Sequence, residues 1–487
     1  MIPTSMKLFL FVFFSLFYFA ISSQDFVCEW SPALSKLEKE TPYKIFPSID
    51  SGYSVIKRIP GIKNAISIDI LDSNNVLLYA NKVDIPDDEI VHIDLVNGKV
   101  TLFCVMHNNE NKEDELRAYT LNKKGELSTP TLIASLKSNG GYLATFKVAV
   151  SSDGQKVGIL CEKPFMKEKH EGLVLKILDK DLQPLLVKDY SYTTASMKRK
   201  FNVPLINNKG SLYILKRSRI KTKNKYFLTL IKESGVEEHH DLQLRSMRIA
   251  DVAGDFNKEG ELIVSGFYAG FSGFDFQGAF SIKYNESTMS VYRKEFMLPE
   301  KLITGLKSKK EISKFGNGLD NFHVKKLIVT PKGSSYLIAE HLVVNKTEKE
   351  SVEERKGMAA VKFSNKGDFL WAAPIATNQI DNLYNGYWSS SVLIGNDTTL
   401  NVLYSPVGKG VKKLEDVYGV NALMGTRLCA VDLNGVVTDN PFVDLFKGTK
   451  EEVALFAKTY YWSGKELIIV AENKAKDKFY LGRLLNK

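Results

Sequence analysis

Phe146-Lys147-Val148-Ala149-Val150-Ser151-Ser152-Asp153-Gly154-Gln155-Lys156-Val157-Gly158-Ile159-Leu160 is the stretch of this 487-residue chain from which the fold can be read. An apolar strand enters a polar turn that ends on glycine, and a second, more apolar strand leaves it. Glycine suits such a corner because tight hairpin turns need a positive φ, which a residue without Cβ adopts freely. The corner recurs at Val96-Asn97-Gly98, Asn208-Lys209-Gly210, Lys258-Glu259-Gly260, Pro331-Lys332-Gly333 and Trp462-Ser463-Gly464, and Gly395 precedes a further strand. The spacing of about 50 to 70 residues is that of propeller blades.

Each copy reads as four antiparallel strands. Strand A, for example Phe201 to Ile206 or Val324 to Val329, leads into the corner, and strand B leaves it. A longer polar connection follows, then strand C, as at Leu173 to Leu178, Gly278 to Tyr284, Met358 to Phe363 and Arg427 to Leu433. A second tight turn, such as Asn122-Lys123-Lys124-Gly125 or Asn434-Gly435, leads into strand D. The B strands Leu212-Tyr213-Ile214-Leu215 and Leu467-Ile468-Ile469-Val470 are apolar throughout, which places both of their faces in a core. A two-sheet sandwich would instead show alternation along most strands.

The expected architecture is therefore an all-β, seven-bladed β-propeller, with six or eight blades as the fallback count. A radial array must seal its last sheet or leave a sticky edge. The last copy ends after strand C at Phe479 to Leu485, while Ile66 to Tyr79 imitates the C-to-D hairpin at Leu175 to Val187. Closure by pairing of N- and C-terminal strands follows, with either one strand or a hairpin donated. Helical patterning is confined to Glu29 to Glu40 and Glu300 to Lys314.

The stretch Phe146 to Leu160 resembles the WD40-like repeat of TolB-type bacterial propellers, with Ser152 where that family's turn carries proline. The resemblance implies the propeller fold and a secreted bacterial protein; it does not imply a shared partner. The tryptophan of the sialidase aspartate box, the kelch double glycine and the tryptophan-aspartate ending of true WD40 repeats are missing.

Hydrophobic residues at 44% supply enough apolar material for a large core. A net charge of +10 is mild over this length, so a nucleic-acid partner is not expected. Met6 and Lys7 precede an apolar run from Leu8 to Phe19, and Ala20 and Ser22 supply the small residues of a cleavage site. Residues 1–22 thus read as a secretory signal and 23–487 as one propeller domain, secreted or periplasmic. The run is short for a bilayer span, so no stable membrane anchor is expected after cleavage. Four cysteines, Cys28, Cys104, Cys161 and Cys429, are too few for a disulfide framework. Cys104 and Cys161 fall at equivalent B-strand positions in sheets stacked about 10 Å apart, beyond disulfide reach, and read as buried small hydrophobes.

The B-to-C and D-to-A connections are the long ones, so the face they share is the expected binding face. Three features there are candidate ligand contacts. In Tyr268-Ala269-Gly270-Phe271-Ser272-Gly273-Phe274-Asp275-Phe276-Gln277, the rings of Tyr268, Phe271, Phe274 and Phe276 either stack on a sugar or apolar partner or tuck beneath the loop. The basic run Lys216 to Lys225, with Arg217 and Arg219, suits an acidic ligand or simply a solvated loop. His107, Glu162, Arg217, His341 and Glu472 all fall near the end of strand B, and equivalent positions form a ring around the axis. The pair His239-His240 reads as outer-strand surface. Connections at Val344 to Lys356 and Ser405 to Leu423 are long enough to contact a partner.

No serine elbow, His-Glu-x-x-His or phosphate-binding loop occurs, and neither a cofactor nor a metal is expected. The leading expectation is an exported, non-enzymatic binding or scaffold propeller for a protein or carbohydrate ligand. The alternative is a hydrolase or lyase acting on a glycan or lactone, with acid and base gathered from different blades at the channel.

Overall fold

The corner glycines hold the left-handed backbone that tight turns demand: in a computed structural model of the chain, Gly98, Gly154, Gly210, Gly260, Gly333 and Gly464 have φ between 68° and 88°. Gly395 differs. It ends a strand, and the turn after it is built by Asn396, whose Oδ1 accepts hydrogen bonds from the amides of Thr398 and Thr399 at 2.8 Å each. The structure describes residues 26–35, 40–48, 52–59, 65–86, 89–108, 110–138, 143–164, 170–193, 201–220, 223–244, 247–270, 275–286, 290–346, 351–382, 390–406, 425–442, 453–473, 475 and 477–486. The expected signal segment 1–22 lies outside them. None of the described helices is long and apolar enough to cross a membrane.

The strands assemble into antiparallel four-stranded sheets in simple sequence order. Blade 1 is Thr41–Pro47, Tyr53–Arg58, Ala65–Leu71 and Leu77–Asp84; blade 2 is Glu89–Val96, Lys99–Asn108, Glu113–Thr120 and Thr131–Lys137. Blade 3 is Thr145–Val150, Lys156–Glu162, His170–Asp179 and Pro184–Thr193; blade 4 is Phe201–Ile206, Leu212–Ile220, Lys223–Ile231 and Glu237–Asp241. Blade 5 is Arg248–Phe256, Leu262–Ala269, Phe276–Asn285 and Ser290–Met297; blade 6 is Phe322–Val329, Ser335–His341, Met358–Phe363 and Phe369–Ile375. Blade 7 is Ser391–Gly395, Leu400–Tyr404, Arg427–Val431 and Val437–Pro441. Blade 8 is Val453–Trp462, Glu466–Asn473 and Lys478–Asn486, completed on its outer side by Phe26–Trp30.

Neighbouring blades touch in chain order, and the inner strand of blade 8 packs on that of blade 1, so the array returns to its start. The buried apolar side chains say the same. They fall into eight clusters, one at each junction, from blades 1 and 2 (Ile56, Ile68, Leu102) round to blades 8 and 1 (Ile468, Val470, Val55). B strands contribute to the clusters on both sides, which is why they read as continuous apolar runs.

The all-β propeller is as expected; among the described residues eight sheets are laid out as blades, the larger of the two fallback counts, and a ninth, three-stranded sheet stands beside them. The corner missed in the sequence is Gly52, between Thr41–Pro47 and Tyr53–Arg58. It lies so close to the neighbouring turn that a Cβ there would sit 1.8 Å from the carbonyl oxygen of Leu71. The hairpin at Ile66 to Tyr79 is indeed a C-to-D hairpin, but it belongs to a complete first blade. Closure is made without a donated hairpin: Phe26–Trp30 pairs antiparallel with Lys478–Asn486, Cys28 opposite Leu484, and the two-residue strand Leu34–Ser35 pairs further along the same strand, Leu34 opposite Phe479. The helical reading of Glu29 to Glu40 is overturned for the same reason, because its start is that closing strand. The second helical stretch holds, as Glu300–Leu306 and Lys309–Phe315, the latter opened by a capping box of Ser308 and Glu311. The cysteines are free thiols, with Cys104, Cys161 and Cys429 fully buried. Burial pushes the Cys161 thiol up to about 12.

Candidate functional site

Antiparallel register puts the start of each strand A beside the end of strand B, on the face that carries the long connections. Thr145 lies opposite Glu162, Phe201 opposite Arg217, Phe322 opposite His341, and Ala454 opposite Glu472. The polar side chains at this level meet their partners at the junctions between blades. In blade 3, Glu162 Oε1 accepts from Lys147 Nζ at 2.8 Å and from Asn202 Nδ2 at 2.9 Å, and Lys147 donates also to the Asn202 carbonyl of blade 4 at 2.9 Å. Blade 6 repeats the device. Glu340 takes Lys325 at 2.7 Å and Arg355, and Lys325 continues to Ser391 Oγ of blade 7 at 3.0 Å. Burial outweighs the carboxylate and lowers the Lys325 pKa.

Other blades use variants of the same staple. His107 bonds one oxygen of Asp114 at 2.7 Å, and the other oxygen accepts the Ala144 amide of blade 3 at 2.6 Å. Asp251 of blade 5 accepts the Val324 amide of blade 6 at 2.8 Å. Arg217 hydrogen-bonds the Tyr226 hydroxyl, which reaches the Ala250 carbonyl of blade 5 at 3.4 Å. In blade 1, Lys57 is buried between Asp69 at 2.9 Å and Glu40 at 3.1 Å, and burial raises the Asp69 pKa. Glu472 is buried at the same level of blade 8. Opposite charges in such low-dielectric contacts attract strongly enough to offset desolvation only while both partners are present.

His341 stands apart from this scheme. It is half-buried, meets the Phe322 ring edge-on at 5.4 Å, and its Nδ1 is enclosed with no hydrogen-bond partner among the described residues. Burial, seconded by Lys356, lowers its pKa, so the imidazole is neutral at pH 7.

The aromatic loop divides. Tyr268 is buried in strand B of blade 5, lying over Gly278 so closely that a Cβ there would fall 1.9 Å from the ring. Phe276 stacks on Phe267 at 4.6 Å and 6°, within the core shared with Leu302, Leu319 and Phe322. Both rings therefore belong to the interior. Phe271 and Phe274 lie outside the described residues. The basic run is not a loop but a continuing hairpin: Leu212–Ile220 pairs with Lys223–Ile231, Arg219 opposite Asn224. Lys216 within it is buried, and the side chain of Arg219 is outside the description. His239 bonds Thr229 and Glu237 on the outer strand of blade 4, and no metal-holding group of side chains occurs among the described residues. The connection after His341 forms a small side sheet of Val343–Lys346, Ser351–Arg355 and Gln379–Asn382, while most of 405–423 is outside the description.

Sequence reasoning singled out the acids Glu162 and Glu472 but missed Lys147, Asn202, Lys325, Glu340, Arg355 and Ser391. One signal was available. Lys147 with Glu162 and Lys325 with Glu340 are each separated by 15 residues, the distance from mid-strand A round the corner to the end of strand B.

No family profile matches the chain, and no curated protein matches it. Solved structures resemble it at low identity. Polysaccharide lyase Uly1 is 11% identical, with 84% of this chain and 92% of that one covered and a TM-score of 0.38. A puromycin hydrolase is 10% identical over 88% of this chain and 58% of that one, at a TM-score of 0.42. The β-propeller domain of the Trilobed protease from Pyrococcus furiosus, described as having an open velcro topology, is 11% identical over 85% and 99%, at a TM-score of 0.38. Likeness at this level carries nothing about activity.

Proposed function

We propose that the chain is an exported, non-enzymatic binding or scaffold propeller that takes a protein or carbohydrate ligand on the face carrying the long connections. The observation that supports this reading is the engagement of the acids and bases at the B-strand ends. Glu162, Glu340 and Asp114 are each locked to a basic partner and to the next blade. General acid–base catalysis needs groups that exchange protons with a substrate. Groups fixed across junctions instead hold a rigid frame for the connections that rise from it. Phe271, Phe274, Arg219 and His341 are the ligand contacts of this reading, and export rests on the apolar run Leu8 to Phe19.

The test is capture and turnover with residues 23–487 on arrays of glycans and extracellular proteins. The expected result is a ligand captured without chemical change, its retention falling at least about tenfold when Phe271 and Phe274 are replaced by serine, as loss of two stacking contacts implies. Cleavage of a captured glycan or lactone, abolished by Glu162→Gln or His341→Ala, would replace this reading by the hydrolase or lyase one.

A further inference from the structure

The free edges of the inner strands line the central channel, and two opposite charges on adjacent inner strands face it without meeting. Lys326, on the inner strand of blade 6, passes in front of blade 7 to the inner strand of blade 8, where its Nζ donates to the Tyr460 hydroxyl at 2.8 Å and lies 5.1 Å from the ring centre. Tyr460 in turn donates to the Leu393 carbonyl of blade 7 at 3.3 Å. Its hydroxyl is thereby fixed as an acceptor for the ammonium, which keeps two further N–H donors. Asp255, on the inner strand of blade 5, accepts the Phe256 amide at 2.8 Å through Oδ1. Its carboxyl is exposed to water although protein surrounds it, as befits a group opening on an enclosed channel. Lys326 lies near enough for its charge to act on the Asp255 carboxyl, yet the two make no ion pair among the described residues.

That arrangement is unusual for this molecule. Elsewhere around the ring Lys and Glu on adjacent strands close onto one another, as Lys147 does on Glu162 and Lys325 on Glu340. Here the ammonium bonds the Tyr460 hydroxyl instead of the carboxylate. Two tethered, unpaired charges of opposite sign across a water-accessible gap form a receptor for a molecule carrying both complementary charges. A pair held apart makes no direct hydrogen bond to itself, so a bridging ligand gains two charge-assisted hydrogen bonds at once.

We propose that the channel between Asp255, Lys326 and Tyr460 binds a small zwitterion, an amino acid or similar molecule, whose carboxylate meets Lys326 and whose ammonium meets Asp255. A purely anionic ligand would be repelled by Asp255, and a purely cationic one by Lys326. The site is separate from the long-connection face and does not depend on the ligand taken there.

Ligand-observed NMR titration of the intact chain with glycine and 4-aminobutyrate, which differ in charge separation, and with acetate and methylammonium as single-charge halves, tests this. At pH 7.5 at least one zwitterion binds more tightly than either half. Lys326→Met and Asp255→Asn each weaken it about tenfold, the cost of one charged hydrogen bond, and Tyr460→Phe weakens it less. Unfolding curves of the three variants identify any that fail to fold, and Tyr460→Phe, the mildest change, then carries the comparison. Asp255 has its pKa raised to about 6 by burial, with Lys326 pulling the other way. Binding therefore weakens as the pH falls below about 6 and the carboxylate takes a proton. Zwitterions binding no better than acetate or methylammonium, or binding that is indifferent to Lys326→Met in a folded variant, would overturn the proposal.

Discussion

A single left-handed glycine and a single ion pair at a blade junction show how this fold is specified residue by residue. At Gly154 a Cβ would approach the Leu95 carbonyl oxygen to 2.9 Å while the backbone stays at φ 68°. Gly154→Ala is expected to cost about 2 kcal/mol, the left-handed penalty of ~1 to 2 kcal/mol plus the close approach, measured as a lowered midpoint in urea. Glu162 joins blades 3 and 4 through Lys147 and Asn202. Its removal in Glu162→Ala strands an ammonium and an amide at the junction. The expected loss is about 2 kcal/mol, below the ~3 to 5 kcal/mol of a fully enclosed pair because Lys147 keeps contact with water. The double variant Lys147→Met, Glu162→Met should recover part of that loss, since no charge is then left unpaired. Equal stability of all these variants would show that the staple is decoration.

At the scale of elements, the closing strand is the most exacting. Phe26–Trp30 contributes Cys28 and Trp30 to the cluster between blades 7 and 8 and satisfies the outer edge of Lys478–Asn486. A chain begun at residue 36 should expose that edge and associate with itself, because an unpaired strand is a template for another. A peptide of residues 24–35 added in trans should restore the monomer in size-exclusion chromatography. Persistent monomer without the peptide would deny the strand its sealing role.

Elements differed in how plainly the sequence announced them. Corners such as Ser152-Asp153-Gly154 were legible because positive φ restricts the residue choice, and B strands because burial on both faces removes polar residues. Blade 1 is harder to read: its corner Asp50-Ser51-Gly52 has the polar turn of the others, but its B strand is less apolar, since Tyr53–Arg58 carries Ser54 and Lys57, both buried. The closing strand was misread because five residues carry too little periodicity to tell strand from helix. At the candidate sites, Asn202, which bonds Glu162, and Tyr460, which bonds Lys326, stand on other blades, and nothing in a linear sequence declares that Lys147 reaches Asn202 or that Lys326 reaches Tyr460. Tyr268 and Phe276 were visible as aromatics, whereas their burial depends on Gly278, Leu319 and the helix Glu300–Leu306.

At the scale of the molecule, eight cores, one per junction, replace the single core of an ordinary domain. Each blade is stabilised only by its neighbours, so the ring's integrity rests on every junction, and the seam between blades 8 and 1 is where the chain's two ends must meet. Tyr53 and Glu466 are hydrogen-bonded across that seam at 2.5 Å, and Thr459 bonds the Pro42 carbonyl at 3.0 Å. The register of the closing strand is accordingly the point on which the architecture depends. Cys28 stands opposite Leu484, and directly facing residues of antiparallel strands lie about 4.5 to 5.5 Å apart at Cα, within disulfide reach. The decisive measurement is peptide mapping of the Leu484→Cys variant after mild oxidation without reductant. A peptide linking position 28 to position 484 in the monomer is the predicted product. No such link, or a link joining position 484 to Cys429 instead, would contradict a ring sealed by its N-terminal strand.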